Sequence, residues 1–179
     1  VYLLSDYYVT NDAKKKNVSW YVPEVQGKIM DAGDVYMPFD KMGNEYTVIS
    51  SFSLSDPENK VDSKAVFGYG SICYVSQKNI YITESDYNDN DENVTRTAIR
   101  KVSYKDGELK GVAQTKINGT LNDSFSIDEY DGNLRVVTTV SDLGENNGVM
   151  PLFGARSALS DDVALVEEQQ DYNALYVLD

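Results

Sequence analysis

The sequence predicts an all-β protein built from β-propeller-type blades, each a four-stranded antiparallel sheet, with about two to three blades in an incomplete ring. Three observations lead to this prediction: short runs of β-branched and aromatic residues between turn signals, a recurring order of those runs, and few helical signals. Fourteen tyrosines among 179 residues also suit strands, because aromatic rings pack well on pleated surfaces.

The clearest hairpin signal lies at Asp131-Gly132, between two runs rich in apolar and β-branched residues, Phe125–Tyr130 and Leu134–Val140. Asp-Gly supplies the positive φ angles that a tight type I′ turn requires. Asp106-Gly107 predicts a second turn of this kind. Asn79 predicts a third, because asparagine is among the few non-glycine residues that tolerate the left-handed conformation.

Further runs of strand-forming residues are separated by turn residues or by long connections. The other predicted strands, in chain order, are Val1–Leu4, Tyr46–Leu54, Lys64–Gly68, Ser71–Ser76, Ile80–Glu84, Thr95–Tyr104, Glu108–Lys116 and Leu175–Leu178. Asp56-Pro57-Glu58-Asn59 predicts a turn. Within the long connections, Ser19–Val22 and Val35–Met37 predict short strands, and Ser160–Gln170 predicts one or two helical turns.

The same order of strands and turns recurs along the chain, which favours a propeller over a β-sandwich. Asn79-Ile80-Tyr81-Ile82-Thr83 and Asn133-Leu134-Arg135-Val136-Val137 each follow a turn and begin with asparagine, and Val1–Leu4 fits the same place. A repeat of roughly 50–65 residues is in the range of propeller blades. We therefore predict a single all-β domain, residues 1–179, with a partial blade at 1–68, a complete blade at 71–117 and a partial blade at 124–179.

Composition and charge narrow the classes of function. The formal net charge is −13, from 16 basic and 29 acidic residues, so a phosphate backbone would be repelled and nucleic acid is not an expected partner. No apolar run approaches the ~20 residues needed to cross a bilayer, so we expect no membrane insertion. Because the chain begins with Val1 and not methionine, we expect a processed or excised piece of a longer protein.

The residues around the strongest hairpin also resemble a known family. Phe125–Thr139 and Asn173–Asp179 resemble the secreted bacterial proteins that carry a C-terminal β-propeller domain, distantly related to WD-type repeats. Tyr46–Ile49 and Ser71–Ile82 are similar to the preceding blade. The resemblance implies a secreted or cell-envelope location and a propeller longer than this chain. It implies no activity and no catalytic residue.

Histidine is absent, which removes Ser-His-Asp and Cys-His catalysis and the usual zinc and copper sites. Two carboxylates at a suitable separation are still enough to cleave a glycosidic bond. Asp128, Glu129 and Asp131 lie beside a predicted turn and are candidates for such a pair, although solvated turn carboxylates explain them better. A carboxylate-dependent glycan-active enzyme is therefore an alternative function.

No cofactor is predicted, apart from a candidate Ca²⁺ site in the acidic loop that begins at Asp86. Asp86, Asn88 and Asn90 alternate like the first oxygen ligands of an EF-hand loop. The sixth position is Asp91 where an EF-hand has glycine, and the twelfth is Thr97 where it has glutamate. A solvated acidic loop is the competing interpretation.

The long connections indicate where a binding surface would lie. Ser5–Glu45, Ser85–Val94 and Ser141–Tyr172 each fall between the second and third strands of a unit, and equivalent loops of a propeller emerge on one face. That face would carry the aromatic residues Tyr7, Tyr8, Trp20, Tyr21 and Phe153. We predict a non-catalytic extracellular module that binds a protein, peptide or glycan there. The alternatives are that these rings only pin the loops to the sheets, or that the chain is a structural spacer that self-associates through open sheet edges.

Overall fold

The computed structural model describes residues 1–9, 17–38, 43–86, 94–141 and 171–179, and the predicted helical turns at Ser160–Gln170 lie outside these ranges. The described residues form strands and short 3₁₀ helices. The strands are β1 (Tyr2–Tyr8), β2 (Glu24–Val25), β3 (Lys28–Ile29), β4 (Val35–Tyr36), β5 (Glu45–Ser53), β6 (Asp56–Phe67), β7 (Ile72–Val75), β8 (Asn79–Asp86), β9 (Arg96–Lys105), β10 (Glu108–Asn118), β11 (Ile127–Tyr130), β12 (Asn133–Val140) and β13 (Tyr172–Leu178). The 3₁₀ helices are Val18–Trp20, Ala32–Asp34 and Ser124–Ser126.

Three larger sheets follow one another along the chain. Sheet 1 has the strand order β1-β5-β6-β4, sheet 2 has β10-β9-β8-β7, and sheet 3 has β11-β12-β13. β2 and β3 form a separate two-stranded hairpin. The prediction of an all-β fold with antiparallel sheets of this size is confirmed, and the sheets described do not close a ring.

Sheet 2 is a four-stranded meander in which each strand pairs antiparallel with the next. Its outermost strand, β10, contains a bulge at Val112, because Gly111 pairs with Val102 and Ala113 pairs with Lys101. Sheet 1 differs at its edge, where β4 runs parallel to β6 and pairs Val35 with Ala65. The connection after β1 therefore contributes a strand to sheet 1.

The two Asp-Gly turns have the backbone that the sequence predicts. The φ angles are +50° and +81° at Asp131 and Gly132, and +52° and +90° at Asp106 and Gly107. The prediction of a left-handed Asn79 is wrong, since Asn79 is the first residue of β8 and has no positive φ. The Ser76 side chain forms that turn instead, because its Oγ accepts hydrogen bonds from the backbone nitrogens of Lys78 and Asn79 at 3.3 and 3.0 Å.

Several predicted boundaries in sheet 1 are also wrong. β1 continues to Tyr8, four residues past the predicted end, because Ser5 to Tyr8 pair with Val48 to Glu45 of β5. Val18–Trp20 is a 3₁₀ helix and not a strand, since Asn17 caps it through its side chain. Asparagine and serine favour turns and helix starts over strands, because their side chains form hydrogen bonds with nearby backbone groups.

The predicted turn at residues 56–59 is part of β6, which begins at Asp56 and not at Lys64. Ser53 pairs with Asp56 and Phe52 with Lys60, so residues 57–59 have no partner in the ladder with β5. Pro57 fits there because a residue without a backbone N–H is tolerated at a bulge. The Asn59 side chain donates to the Asp56 carboxylate at 3.1 Å, which closes the bulge locally.

The alternation of side chains along β8 explains how the sheets stack. Ile80 and Ile82 lie on one face and pack with Ile49 and Val66 of sheet 1. Tyr81 lies on the other face and packs with sheet 3, in a cluster whose buried members are Tyr81, Ile99, Ile117, Ile127, Leu134 and Val136. Because successive residues of a strand point to opposite faces, sheet 2 is buried on both faces and lies between the other two.

Polar side chains complete the contact between sheet 1 and sheet 2. The Arg100 Nη2 atom donates to Glu84 Oε2 at 2.7 Å, and both side chains are buried. The other oxygen, Glu84 Oε1, accepts from the backbone nitrogen of Tyr69 at 3.1 Å. The carboxylate thereby ties sheet 2 to the linker that follows β6.

Candidate functional site

The long connections follow β1, β8 and β12 and leave sheets 1, 2 and 3 at the same end. We call this the loop end. Thr47, near the start of β5, donates to the carbonyl of Gly68 at 3.1 Å and accepts from Gly70 at 3.0 Å. Residues 68–70 also approach the end of β8, because a Cβ at Gly68 would lie 2.4 Å from Glu84 Oε2. The start of β5 and the end of β8 are therefore neighbours.

The same arrangement joins sheet 2 to sheet 3. Thr97, near the start of β9, donates to the carbonyl of Gly119 at 2.6 Å. A Cβ at Gly119 would lie 2.6 Å from the carbonyl oxygen of Thr139, near the end of β12. Thr47 and Thr97 thus have matching roles in successive sheets. The threonine-to-glycine spacing of about twenty residues is the signal in the sequence from which this contact could be predicted.

Tyr7, Trp20 and Tyr21 come together on the outer face of sheet 1. The Tyr7 hydroxyl donates to the backbone carbonyl of Ser19, and burial, followed by repulsion from Glu24, raises the pKa of Tyr7. The Tyr46 hydroxyl, from β5, donates to the carbonyl of Tyr21 at 3.0 Å. These bonds hold the backbone of residues 19–21 against the sheet.

The local sequence explains why residues 17–22 form a compact turn. Asn17 caps the 3₁₀ helix, since its Oδ1 accepts from the Ser19 nitrogen at 3.2 Å. The nitrogens of Tyr21 and Val22 both donate to the carbonyl of Val18, at 3.1 and 2.9 Å. Capping and these bonds satisfy the backbone locally, so the aromatic side chains are not needed to close the turn.

Trp20 and Tyr21 keep much of their surface in solvent, with 37% and 40% of each residue exposed. Tyr7 is partly buried and packs on the cluster of Tyr46, Val48 and Ala65. For Tyr7 the structure therefore supports the interpretation that the ring pins the connection to the sheet. For Trp20 and Tyr21 the backbone is pinned while the rings remain accessible.

Tyr8 lies apart from these residues. It follows Tyr7 on β1 and so points to the opposite face of sheet 1, where it pairs with Glu45 and is 62% exposed. The Glu45 carboxylate raises the pKa of Tyr8, because its interaction favours the neutral phenol and its charge repels the phenolate. Tyr69, between two glycines, also lies near Tyr8, is exposed, and was not predicted.

The other predicted site residues fall partly outside the described ranges. Phe153, Asn88 and Asn90 are not in the part of the chain that the structure describes. Asp86 is buried at the end of β8, and its Oδ2 accepts from Lys116 Nζ at 2.9 Å. Among the described residues, no group of three or more His, Cys, Asp or Glu side chains is placed to hold a metal ion.

The carboxylates considered for glycan cleavage each have a local role. Asp128 is paired with Arg135, whose Nε donates to Oδ1 at 2.8 Å. Glu129 accepts from Asn79 Nδ2 and from the Tyr81 hydroxyl, both at 2.9 Å. Asp131 is the first residue of the Asp-Gly turn, with φ of +50°. Arg135 and Asn79 therefore already bind the first two carboxylates.

Comparison with known proteins identifies the family to which the chain belongs. The family described as Beta propeller domain matches residues 1–179. No curated protein and no solved structure matches the chain. In the described ranges, no helix has the length and the apolar surface to span a membrane. The stacked antiparallel sheets and the match over the full length agree, and the chain belongs to the β-propeller domain family.

Proposed function

We propose that this chain is a non-catalytic β-propeller module that binds a protein, peptide or glycan at its loop end. The proposal rests on the exposure of Trp20 and Tyr21 above a backbone that is held in place. Their rings are accessible to solvent, while the backbone beneath them is hydrogen-bonded to Tyr7 and Tyr46 of sheet 1.

Fixed, accessible aromatic rings are well suited to binding. A ligand that stacks on them gains contact with a large amphipathic surface, and ordering of the loop costs little because the loop is already held in place. Aromatic residues of this kind dominate the energy of many interfaces. Ring stacking suits a sugar ring and an apolar peptide side chain equally, so both ligand classes belong to the proposal.

The position of the rings adds support. Because the connections of all three sheets leave at one end, residues from more than one sheet can contact the same ligand. Tyr69 and Tyr8, on the side of sheet 1 that faces sheet 2, would extend such a surface. The net charge of −13 favours neutral or basic partners and disfavours nucleic acid.

The proposal includes a location, and it includes no cofactor other than the candidate Ca²⁺ ion. We propose that the protein is a secreted or cell-envelope protein of bacteria, as its resemblance to secreted propeller proteins with WD-type repeats implies. Detection only in the cytosol of source cells would contradict this. Calcium at Asp86, Asn88 and Asn90 stays a prediction, and calorimetry that shows no heat with millimolar Ca²⁺ would contradict it.

Trp20 is the only tryptophan in the chain, so its fluorescence reports on the loop end directly. The experiment is a screen of the chain on glycan and peptide arrays, followed by fluorescence titration with each ligand that binds. We expect a saturable change in Trp20 emission. A ligand that binds tightly, leaves the emission unchanged and binds Trp20→Ala equally well would place the binding surface elsewhere.

Self-association through open sheet edges is a second candidate, supported by sheet 3. In the described residues β13 pairs only with β12, and Leu175 and Val177 on its outward face are exposed. An unpaired strand with apolar side chains favours pairing with another copy. Light scattering should detect dimers that Val177→Lys removes, and a strict monomer at high concentration would contradict this candidate.

A further inference from the structure

We propose that a cleft on sheet 2, at the end opposite the loop end, binds a short acidic segment of a partner protein in extended conformation. The cleft has a volume of about 1010 Å³ and lies beside the turns of the β7–β8 and β9–β10 hairpins. Its lining includes four lysines, namely Lys78, Lys101, Lys105 and Lys110. We call it the lysine cleft, and the loop-end aromatic residues take no part in it.

The charge of the lysine cleft differs from that of the whole chain, which has a net charge of −13. Its lining contains one carboxylate, Asp106, and Glu108 lies opposite Lys105 in the register of β9 and β10. In the part of the chain that the structure describes, none of the four lysines forms an ion pair, whereas Lys64 and Arg135 each bind a carboxylate. The four ammonium groups are therefore available to an anionic ligand.

Lys101 gives the strongest indication of an anion, because it is partly buried while the other three lysines are exposed. Its Nζ atom lies 5.8 Å from the centre of the Tyr81 ring, and a ring replaces only part of the hydration that an ammonium group loses. Glu129 is near, but it accepts hydrogen bonds from Asn79 and Tyr81 and, like the other described carboxylates, forms no ion pair with Lys101. A carboxylate bound in the cleft would neutralise this charge.

The register of β9 and β10 places three of the lysines in successive rows. Lys101, Ser103 and Lys105 alternate along β9 and point to one face, and Lys110 pairs with Ser103 and shares that face. Successive rows are about 7 Å apart, because a strand rises about 3.4 Å per residue. Alternate side chains of an extended peptide have the same spacing of about 7 Å. Three alternate carboxylates would therefore meet Lys101, Lys110 and Lys105 in turn.

The length of the rows and the overall charge limit the ligand to a short segment. Lys101 and Lys105 are separated by about 13 Å along β9, a distance that five extended residues span. A long polyanion would continue past the lysines onto a strongly acidic chain, where like charges repel. Among the described residues that line the cleft there is no arginine, the residue best suited to phosphate, so carboxylates are the expected anions.

The test compares three blocked peptides by NMR titration of the full chain, followed at the amide groups of β9 and β10. The first peptide alternates its carboxylates (acetyl-Glu-Thr-Glu-Thr-Glu-amide), the second groups them (acetyl-Glu-Glu-Glu-Thr-Thr-amide), and the third has glutamine in place of each glutamate of the first. We expect the alternating peptide to bind with a Kd of about 1–10 mM, as three exposed charge contacts allow. The grouped isomer should bind about threefold more weakly, because it loses one contact, and the uncharged peptide should not bind.

Two double variants with the same change in charge locate the binding. Lys101→Gln/Lys110→Gln removes two rows and should weaken the alternating peptide about tenfold. Lys28→Gln/Lys60→Gln removes two lysines that line no part of the cleft and should bind as the wild type does. The proposal is overturned if the grouped peptide binds as tightly as the alternating one, or if both double variants weaken binding equally. It is also overturned if a uronic acid trisaccharide of the same charge binds more tightly than the alternating peptide, since the ligand would then be an acidic glycan.

Discussion

The Tyr46 hydroxyl donates a hydrogen bond to the backbone carbonyl of Tyr21, 3.0 Å away, and so joins the connection after β1 to the centre of sheet 1. Tyr46 is buried on β5 and Tyr21 is partly exposed. One bond therefore links the buried core of the sheet to the surface that we propose binds a ligand.

Tyr46→Phe removes this bond while keeping the ring. We expect the free energy of unfolding to fall by about 1 kcal/mol, the usual net value of such a bond, and amide hydrogen exchange to speed up at Tyr21 and Val22. Hydrogen exchange measured by NMR checks this. Tyr21→Phe is the control, because it keeps the accepting carbonyl, and equal exchange rates in both variants would contradict the anchoring role.

Gly68 and Gly132 both have positive φ, +128° and +81°, but their surroundings differ. A Cβ at Gly68 would lie 2.4 Å from Glu84 Oε2, whereas a Cβ at Gly132 would meet no atom within 4 Å. Gly132→Ala should cost about 1–2 kcal/mol from the left-handed backbone alone. Gly68→Ala should cost at least about 1 kcal/mol more in urea unfolding, because the buried carboxylate must move; equal costs would argue against this contact.

Because Glu84 and Arg100 form a buried ion pair, we expect the stability costs of substituting the two residues to be strongly non-additive. Arg100→Met leaves a buried carboxylate without its partner and should cost about 3–5 kcal/mol. Glu84→Gln combined with Arg100→Met should cost clearly less than the sum of the single variants. A double-mutant cycle by urea denaturation measures the coupling, and additive costs would show that the pair is not coupled.

The lowered pKa of Glu129 predicts that the stability of the fold depends on pH. Burial opposes its ionisation, but hydrogen bonds from Ser76, Asn79 and Tyr81 outweigh burial and lower the pKa of Glu129. Because the folded pKa lies below the unfolded value of about 4.3, the stabilisation is complete above that pH and is lost as the pH falls through the folded pKa.

Glu129→Gln should therefore be less stable than the wild type at pH 7, by about 1–3 kcal/mol, and the difference should shrink as the pH falls toward about 3. Unfolding by urea across this pH range measures it. Asp131→Asn, on the exposed turn nearby, is the matched control. A constant difference between Glu129→Gln and the wild type would contradict the shift.

The elements that the sequence predicts well are those defined by short-range patterns. The Asp131-Gly132 and Asp106-Gly107 turns need only the two residues that tolerate positive φ. The consecutive apolar residues Ile80, Tyr81 and Ile82 indicate the position of β8, because a strand buried on both faces has apolar residues at successive positions. The recurring order of the strands predicts propeller blades, and the match to the β-propeller domain family supports that prediction.

The errors arise where distant residues decide the structure. β1 extends to Tyr8 because β5 supplies partners, and β4 joins sheet 1 because β6 presents an open edge. Neither effect is visible in the local residues. At the candidate site, the sequence selects Trp20 and Tyr21 by type alone. It does not show that Tyr46 fixes their backbone, or that Tyr7 and Tyr8 point to opposite faces.

The most direct test of the central claim is the affinity of the Trp20→Ala/Tyr21→Ala variant for a ligand of the wild type, measured by calorimetry. Tyr130→Ala is the control, since Tyr130 is exposed and adjoins the Asp-Gly turn at the opposite end of sheet 3. We predict that the double variant loses at least about tenfold in affinity, about 1.4 kcal/mol, whereas the control keeps the affinity of the wild type. The free energy of unfolding should be the same in all three proteins. Full affinity in the double variant would contradict a binding surface at the loop end.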